Sequence, residues 1–564
     1  MNSQTRMIVA VALCAIIYIV FDFLQPRPTP EELAEAERAK AGLLAGEDEG
    51  KVAGGVDSAG ELTTDDGAPA PDGDSPRDAG DPTPDVEIVK HEIGNDYLAL
   101  IVSNRSPGSD GLLDAIHLLD AQFAGHTTAT DPFLLGGLRT LEVSFADEAT
   151  EFKLPKRAAY EVRQVDDSSI TLGYNGDGVE VEETLQVLEG YQALLTVRVT
   201  NRSGHSQDHR LHVRTRIGAG EGSRYDIRRG LCRTGEDVED EDTSDVEDGP
   251  INYGPGILWG GVDSKYFASL IVPKEPSAKC EISASDDKGQ VIQELTSAVT
   301  TVDDGETTTH VSGLYIGPKS LDRLQAFAAV ENEGASTLAE AIDWGLLGGL
   351  SEWLGKLLLG LLRWFYGLVA NWGISIVLLT VLVKLITLPL TLKQMASMKR
   401  MKEIQPDMAK IKEKYADDRA KQTQEMQALF ARSGVNPLAG CLPMVVQLPI
   451  WFALYSMLSA AVELVHVSFL WLPDLTQQDP IYALPLALGG LMIVQNRMMP
   501  TSSMGDETQA KMMRWVMPIM FTVFMLFLPS GLGIYIFANI LLSIVQTAVQ
   551  VGTSKKSEAA TAAS

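Results

Sequence analysis

The order of hydrophobic and polar positions divides the chain into a half with strand-like alternation and a half with long apolar runs. Between residues 87 and 340, short segments such as SITLGY (169–174), VEVEETLQV (179–187) and HRLHVRTRI (209–217) alternate apolar and polar positions. Successive side chains of a strand point to opposite faces, so this alternation fits strands with one buried face. The pattern predicts an all-β sandwich domain over residues 87–340.

Past this domain the hydrophobic period becomes helical. Apolar residues recur every three or four positions over 341–363, which predicts an amphipathic helix. We expect this helix to lie in the membrane interface, although packing under the β domain would also explain it. Five apolar runs follow within a predicted helical membrane domain over 364–552, and a short tail occupies 553–564. The runs are Trp364–Leu390, Cys441–Val462, Ile481–Asn496, Trp515–Leu528 and Leu532–Val551.

The amino-terminal region supplies one further predicted span. Met7 to Leu24 is largely apolar and follows Arg6, which fits either a cleaved signal peptide or a retained anchor. No A-x-A-like cleavage site follows it, so we predict a transmembrane anchor over 1–25. Residues 26–86 are acidic and contain no aromatic residue, which predicts a disordered tether. The fold class expected is a polytopic α-helical membrane protein with six transmembrane helices plus an all-β domain.

Charge predicts how the chain is oriented. Residues 1–350 carry 28 Lys and Arg against 62 Asp and Glu, whereas the remaining residues carry 18 against 13. Ten Lys and Arg lie between Lys393 and Arg432, and none lies in 463–480. The positive-inside rule therefore predicts cytoplasmic termini, a cytoplasmic helical hairpin over 392–436 and an exported β domain. The acidic surface of that domain argues against nucleic acid as a partner, because phosphate would be repelled.

Cysteine and histidine give few signs of site chemistry. No CxxC spacing is present, so neither a zinc site nor another metal or cofactor is predicted. Cys232 and Cys280 could form a disulfide if the β domain is exported, or remain two free thiols. His205, His209 and His212 cluster on or beside one predicted strand, where solvated or hydrogen-bonded histidines are favoured over a metal site. No P-loop or catalytic signature is found, so neither an enzyme nor an ATP-driven machine is predicted.

One charge lies inside a predicted span. Lys384 falls in the run Trp364–Leu390, where an ionisable side chain costs about 2.5–3.5 kcal/mol on insertion scales. Thr380 lies one turn earlier on the same helix face. Other spans contribute the polar residues Gln447, Gln495, Tyr535, Asn539 and Gln546. These groups could line one hydrophilic cavity or form interhelical hydrogen bonds, and Lys384 could also extend outward to the cytoplasmic interface.

Methionines form a stripe on the first arm of the predicted hairpin. Met395, Met398, Met401 and Met408 recur at helical spacing with Lys and Arg between them. Packing between the two arms of the hairpin explains the stripe. An adaptable face that receives an incoming chain would explain it too, because methionine adjusts to many partners.

Several motifs in the helical half resemble, in the same order, those of YidC-type membrane protein insertases. They are NWGISIVLLT (371–380), MASMKRMKEIQP (395–406), NPLAGCLP (436–443) followed by QLPIWFALYSML (447–458), Asp479-Pro480, and FLPSGLGIY (527–535). The resemblance is dense over about 340–552. The preceding anchor and β domain resemble the Gram-negative form, whose exported domain is a β-supersandwich.

The resemblance implies an ATP-independent insertase of the bacterial inner membrane. Its five-helix core would enclose a hydrophilic groove. Its partners would be nascent membrane proteins, the lipid bilayer and the Sec translocon. The groove residues expected here are Lys384, Thr380, Gln447 and Tyr535. The family has an arginine where this chain has Lys384, so the charge is kept and the planar fork is lost. The tail carries only two lysines, so at most weak ribosome binding is expected.

Two other functions fit parts of the sequence. A small-solute transporter would also use an intramembrane lysine, although no inverted repeat is visible among the spans. A membrane-anchored periplasmic binding or scaffold protein would depend on the β domain and use the helices only as an anchor. An intramembrane protease is disfavoured, because Ser530-Gly531 has no well-placed histidine.

Overall fold

The computed structural model describes most of the chain after residue 88. The described residues are 89–104, 113–120, 122–123, 141–145, 148–152, 160–218, 228–285, 289–345, 349–415, 418–433, 442–498 and 515–562. The predicted anchor (1–25) and tether (26–86) lie outside them, as does most of the NPLAGCLP motif.

The first described region is built from nineteen strands within the described residues. They are β1 Lys90–Gly94, β2 Leu98–Ser103, β3 Leu113–Leu118, β4 Glu142–Ser144, β5 Glu161–Val165, β6 Ser169–Gly176, β7 Val179–Val187, β8 Gln192–Asn201, β9 Gln207–His209, β10 His212–Gly218, β11 Arg229–Arg233, β12 Val238–Glu241, β13 Ile251–Tyr253, β14 Trp259–Asp263, β15 Phe267–Pro273, β16 Lys279–Ala284, β17 Gln290–Thr296, β18 Thr300–Val302 and β19 Thr307–Pro318.

Two large antiparallel sheets form the core of this β domain. One has the order β12-β11-β14-β15-β19-β8-β7-β6-β5 and the other β13-β16-β17-β10-β4. They approach closely at glycines, since a Cβ added at Gly230 would lie 2.6 Å from Ile282 Cγ2 on the opposite sheet. The alternating burial of β7, for example, comes from the apolar and polar alternation of its sequence. The predicted β-rich domain is thus confirmed.

A disulfide joins these two sheets. Cys232 lies on β11 and Cys280 on β16, and their Cα atoms are 6.1 Å apart. The question that the sequence left open is settled in favour of pairing.

Helices dominate the rest of the chain. The described helices are α1 Leu321–Gln325, α2 Glu333–Ser336, α3 Gly349–Val369, α4 Trp372–Glu403, α5 Gln405–Lys414, α6 Arg419–Ser433, α7 Leu442–Ala460, α8 Ala483–Met498, α9 Met517–Met525 and α10 Ser530–Ala562, with short 3-10 turns at Leu338–Ala341 and Val462–Leu464.

The structure moves one predicted boundary. The amphipathic helix α3 extends to Val369, so residues 364–369 belong to it rather than to the first span of the helical domain. The break comes at Ala370, whose φ of 49° is left-handed, and the Asn371 side chain then accepts a hydrogen bond from the Ile374 amide. Hydropathy missed this boundary because both flanking segments are apolar.

The segment HRLHVRTRI also differs from the expectation of one continuous strand. The structure ends β9 at His209 and begins β10 at His212. The two strands belong to different sheets, because β9 pairs with β18 whereas β10 pairs with β17 and β4. His209 and His212 therefore lie in different sheets and contact different residues.

Two described helices are long and apolar enough to cross a membrane. These segments are Trp372–Leu392 in α4 and Ser530–Gln550 in α10, and the shorter apolar helix Leu448–Ala460 lies in α7. The expected total of six transmembrane helices is not established by these segments. Helix α8 has 16 residues, so at 1.5 Å per residue it reaches roughly 24 Å against a hydrocarbon core of about 30 Å.

Polar contacts join the β domain to the helical half. Arg363 of α3 donates to Asp322 Oδ2 at 2.7 Å and, through Nε, to Glu463 Oε1 at 3.0 Å. The Gln122 amide donates to the backbone carbonyl of Val465 at 2.9 Å.

Candidate functional site

Hydroxyl side chains make α4 polar along one side without breaking the helix. Thr380 Oγ1 donates to the Ile376 carbonyl at 2.7 Å, and Thr387 Oγ1 donates to the Val383 carbonyl at 2.9 Å. Such bonds to the carbonyl four residues earlier satisfy a hydroxyl within its own helix. An otherwise apolar helix can therefore carry a polar stripe on the side where Lys384 lies.

Lys384 bridges α4 and α10. Its Nζ donates to Asn539 Oδ1 at 3.2 Å and to Ser543 Oγ at 2.6 Å. The Ser543 hydroxyl in turn donates to the Asn539 carbonyl at 2.8 Å, so its oxygen is free to accept from the lysine. Within the described part of the chain no carboxylate forms an ion pair with Lys384. The ammonium is thus held by neutral oxygens.

The acceptors of Lys384 lie on one face of α10. Tyr535, Asn539, Ser543 and Thr547 follow each other at four-residue spacing, which places them along a single stripe. The sequence analysis did not include Ser543 among the polar residues of the spans. Its four-residue spacing from Asn539 places it on the same helix face.

The structure brings three of the four predicted groove residues to the seam between α4 and α10. Lys384 is half-buried, whereas Thr380 and Tyr535 are each only 1% exposed. Thr380 and Tyr535 are thus enclosed by protein rather than open to the surface. Gln447 belongs to α7, but its side chain lies outside the described part. Whether these residues line a groove stays a prediction.

The methionine stripe is described in part. Met401 ends the α4 side of the stripe and Met408 lies on α5, both partly exposed, while the side chains of Met395 and Met398 lie outside the described part. Helix α5 has no buried residue. The side chains of this helix are thus accessible to solvent.

Three histidines of the β domain have a titratable side chain as partner. His209 Nε2 lies 2.9 Å from His310 Nε2, and His212 Nδ1 lies 2.9 Å from Glu294 Oε1. Burial and the neighbouring His310 lower the pKa of His209 to about 4. Among the described residues, no group of three or more His, Cys, Asp and Glu could hold a metal ion. No pattern in the sequence indicates that His310 would contact His209, because the two residues lie 101 positions apart.

The disulfide of the β domain, the two helices long enough to span a bilayer and the half-buried Lys384 are features typical of a membrane protein with an exported domain. Comparison with known proteins agrees. Residues 364–557 match the family described as 60Kd inner membrane protein, and residues 118–359 match the YidC periplasmic domain.

Named relatives support the same assignment. The chain is 36% identical over 428 residues to the membrane protein insertase YidC of Anaeromyxobacter dehalogenans strain 2CP-C, covering 75% of this chain and 76% of the relative. It is 42% identical over 318 residues to the protein of that name in Anaeromyxobacter sp. strain Fw109-5, covering 56% and 55%. A crystal structure of an active YidC insertase is 20% identical with a TM-score of 0.33, covering 82% of this chain and 93% of that one.

The chain belongs to the YidC family of membrane protein insertases. Members of this family are inner membrane proteins with a periplasmic domain, and the matched ranges agree with the β-rich and helical halves of this structure. The family assignment expected from the sequence motifs is confirmed.

Proposed function

We propose that this protein inserts nascent membrane proteins by offering the Lys384 ammonium to a polar, often acidic, client segment that crosses part-way into the membrane. The observation that carries this proposal is the bonding of Nζ to Asn539 and Ser543. A carboxylate partner would neutralise the lysine. Neutral acceptors leave its charge in place and can be exchanged for a client's acidic group.

The energy for insertion comes from the client itself. Its apolar helix loses contact with water when it partitions into lipid, which is favourable by about 25 cal/mol per Å² of apolar surface. The short α8 favours a locally thinner bilayer, which reduces the distance that polar client residues must cross. No nucleotide is required for either step. Lys384, Thr380, Gln447 and Tyr535 are the groove residues of this proposal.

The remaining elements take supporting roles. The helical hairpin, with Met395, Met398, Met401 and Met408, receives the incoming chain on the cytoplasmic side. Six spans leave both termini in the cytoplasm and the β domain in the periplasm. We place the domain boundaries at 87–340 for the β domain, 349–369 for the interfacial helix and 372–552 for the core. The protein works alone or beside the Sec translocon, without enzymatic chemistry.

Helix α3 supports the interfacial assignment. Leu358, Leu359 and Leu362 are buried against the neighbouring helices, whereas Trp353 is 65% and Leu350 is 52% exposed. Large apolar side chains exposed on a second face favour contact with lipid.

Substitution of Lys384 tests the charge. In a strain depleted of its own insertase, Lys384→Arg should support client insertion, Lys384→Ala should lower it strongly, and Lys384→Glu should abolish it. Protease protection of a radiolabelled single-span client measures each outcome. Lys356→Ala is the matched control, because Lys356 pairs with Glu352 on the amphipathic helix α3. Full activity of Lys384→Ala would refute the role of the charge.

Crosslinking tests the place of contact. A photoreactive residue at Leu388, one turn from Lys384, should crosslink to a nascent client in membranes, whereas one at Leu119 on the β domain should not. The same assay in proteoliposomes without nucleotide tests ATP independence. A saturable flux of a small solute through those proteoliposomes would favour the transporter alternative instead.

A further inference from the structure

The disulfide occupies the closed interior between the two large sheets. Cys232 and Cys280 are both 0% exposed. All five residues of β11 are buried, and β16 pairs on either side with β13 and β17. The bond therefore joins the nine-stranded sheet to the five-stranded sheet at their shared core.

The surroundings of the sulfurs leave no room for a reagent. The Gln293 amide donates to Cys280 Sγ at 3.1 Å, and the two sheets lie so close beside the bond that a Cβ added at Gly230 would clash with Ile282. A protein that oxidises thiols must bring a sulfur of its own disulfide into contact with the attacking cysteine thiolate. Such contact cannot occur once the sheets have closed.

The sheets are expected to close faster than an uncatalysed disulfide forms, so the bond requires a catalyst. Domains rich in non-local β pairing fold in milliseconds to seconds, whereas disulfide formation takes seconds to hours depending on oxidant and isomerase. The two cysteines are 48 residues apart, and strands β12 to β15 lie between them. Without a fast oxidant the sheets would close over two thiols.

We propose that the β domain is a substrate of a thiol–disulfide oxidoreductase in the exported compartment, which oxidises Cys232 and Cys280 before the two sheets close. One cysteine thiolate attacks the oxidant's disulfide and forms a mixed disulfide, releasing the first oxidant thiolate. The second cysteine thiolate attacks the chain's sulfur in that mixed disulfide and releases the second oxidant thiolate. Two electrons pass to the oxidant, which leaves as a dithiol with the two protons that the cysteines lost.

Thiol trapping of the full-length chain tests this proposal. Cys14→Ser and Cys441→Ser are combined, so that Cys232 and Cys280 are the two remaining thiols of the four in the sequence. Cells are quenched in acid, denatured and treated with a maleimide mass tag. In cells that contain the exported oxidase the chain should take up no tag, and in cells that lack it both thiols should be tagged.

Two further arms fix the interpretation. In native membranes, dithiothreitol should leave the chain untagged, and dithiothreitol with denaturant should expose both thiols. Adding either Cys232→Ser or Cys280→Ser to this background should give one tag in all cells. Two tags in oxidase-containing cells would refute the bond in vivo, and no tags in oxidase-deficient cells would refute the catalyst.

A measurement of thermal stability tests whether the bond between the sheets is present in the folded parent chain. Loss of a bond that closes a loop of this length should lower the midpoint of thermal unfolding of the β domain by roughly 8–16 °C. Protease resistance of the full chain during heating, compared between Cys232→Ser and the parent, measures the shift. An unchanged midpoint would show that the parent chain carries no stabilising bond between the sheets, which would contradict the proposal. This result is independent of Lys384 and of the insertion assay.

Discussion

The β domain and the helical half both bury a charge, but they surround it differently. In the β domain, Asp263 is 0% exposed and accepts hydrogen bonds from Arg229 Nη2 and from Lys319 Nζ, each at 2.8 Å. In the helical half, Lys384 has the neutral oxygens of Asn539 and Ser543. A charge enclosed by opposite charges cannot be removed without leaving its partners buried and uncompensated, whereas one held by neutral groups remains available to a ligand.

The pKa of Asp263 reflects the two positive charges that enclose its carboxylate. Burial acts to raise the pKa of Asp263, but Arg229 and Lys319 outweigh it and hold the pKa below the usual range. The carboxylate thus stays ionised in the core. No client could reach it without opening the sandwich.

The largest contrast is expected from deleting parts of each half. Removing residues 392–432 should abolish client insertion, whereas removing residues 90–320 should leave most of it. The hairpin helix α5 has no buried residue, so deleting the hairpin does not open a packed core. The β domain contacts the helices through polar pairs such as Arg363 with Asp322, so its deletion removes few contacts that the helices need. Complementation of a depleted strain measures both deletions, with the amount of chain in the membrane as the control. The opposite result would move the function into the β domain.

A second test breaks the buried charge cluster. Asp263→Ala leaves Arg229 and Lys319 without their shared carboxylate and should lower the free energy of unfolding of the β domain by about 3–5 kcal/mol. Proteolysis of the full chain across a urea series measures the change. Asp322→Ala is the control, since its carboxylate is exposed and its ion pair with Arg363 is worth about 0–1 kcal/mol. Equal effects of the two substitutions would show that the buried cluster of Asp263 contributes no more to stability than an exposed ion pair.

A third test uses pH. Burial lowers the pKa of both His209 and His310, that of His209 to about 4. Neutral His209 stabilises the fold fully above a pH of about 6.5, and its contribution of about 3 kcal/mol is lost as the pH falls towards 4. Asp208 and Glu275, whose charges act in the opposite direction, reduce the effect.

The pH effect has a matched control. His209→Gln should flatten the dependence of β-domain unfolding on pH between 6.5 and 4, whereas His205→Gln, at an exposed position, should leave it unchanged. Unfolding midpoints in urea at a series of pH values measure this. A slope that persists in His209→Gln would assign it to other groups.

The sequence predicted most of the elements because they depend on local pattern. Alternation marked β6 and β7 at positions 169–174 and 179–187, and the structure has them at Ser169–Gly176 and Val179–Val187. Helical spacing marked the amphipathic helix, but its end was misplaced because apolar residues continue across Ala370. A single left-handed residue decided that boundary.

The candidate site was only partly predictable. Lys384 and Thr380 could be recognised from one helix, because a charge and a hydroxyl in an apolar run are visible in the sequence itself. Ser543 could not be assigned to Lys384 in the same way. The two residues are 159 positions apart, and their contact depends on how α4 packs against α10.

The sequence by itself therefore determined where strands, apolar helices and the intramembrane charge occur, since periodicity and hydropathy are properties of neighbouring residues. The tertiary structure decided the pairs: Cys232 with Cys280, His209 with His310, and Lys384 with Asn539 and Ser543. These partners lie 48 or more residues apart along the chain. Which of many similar side chains meet is fixed only when sheets and helices pack, because packing alone sets distances between residues far apart in sequence.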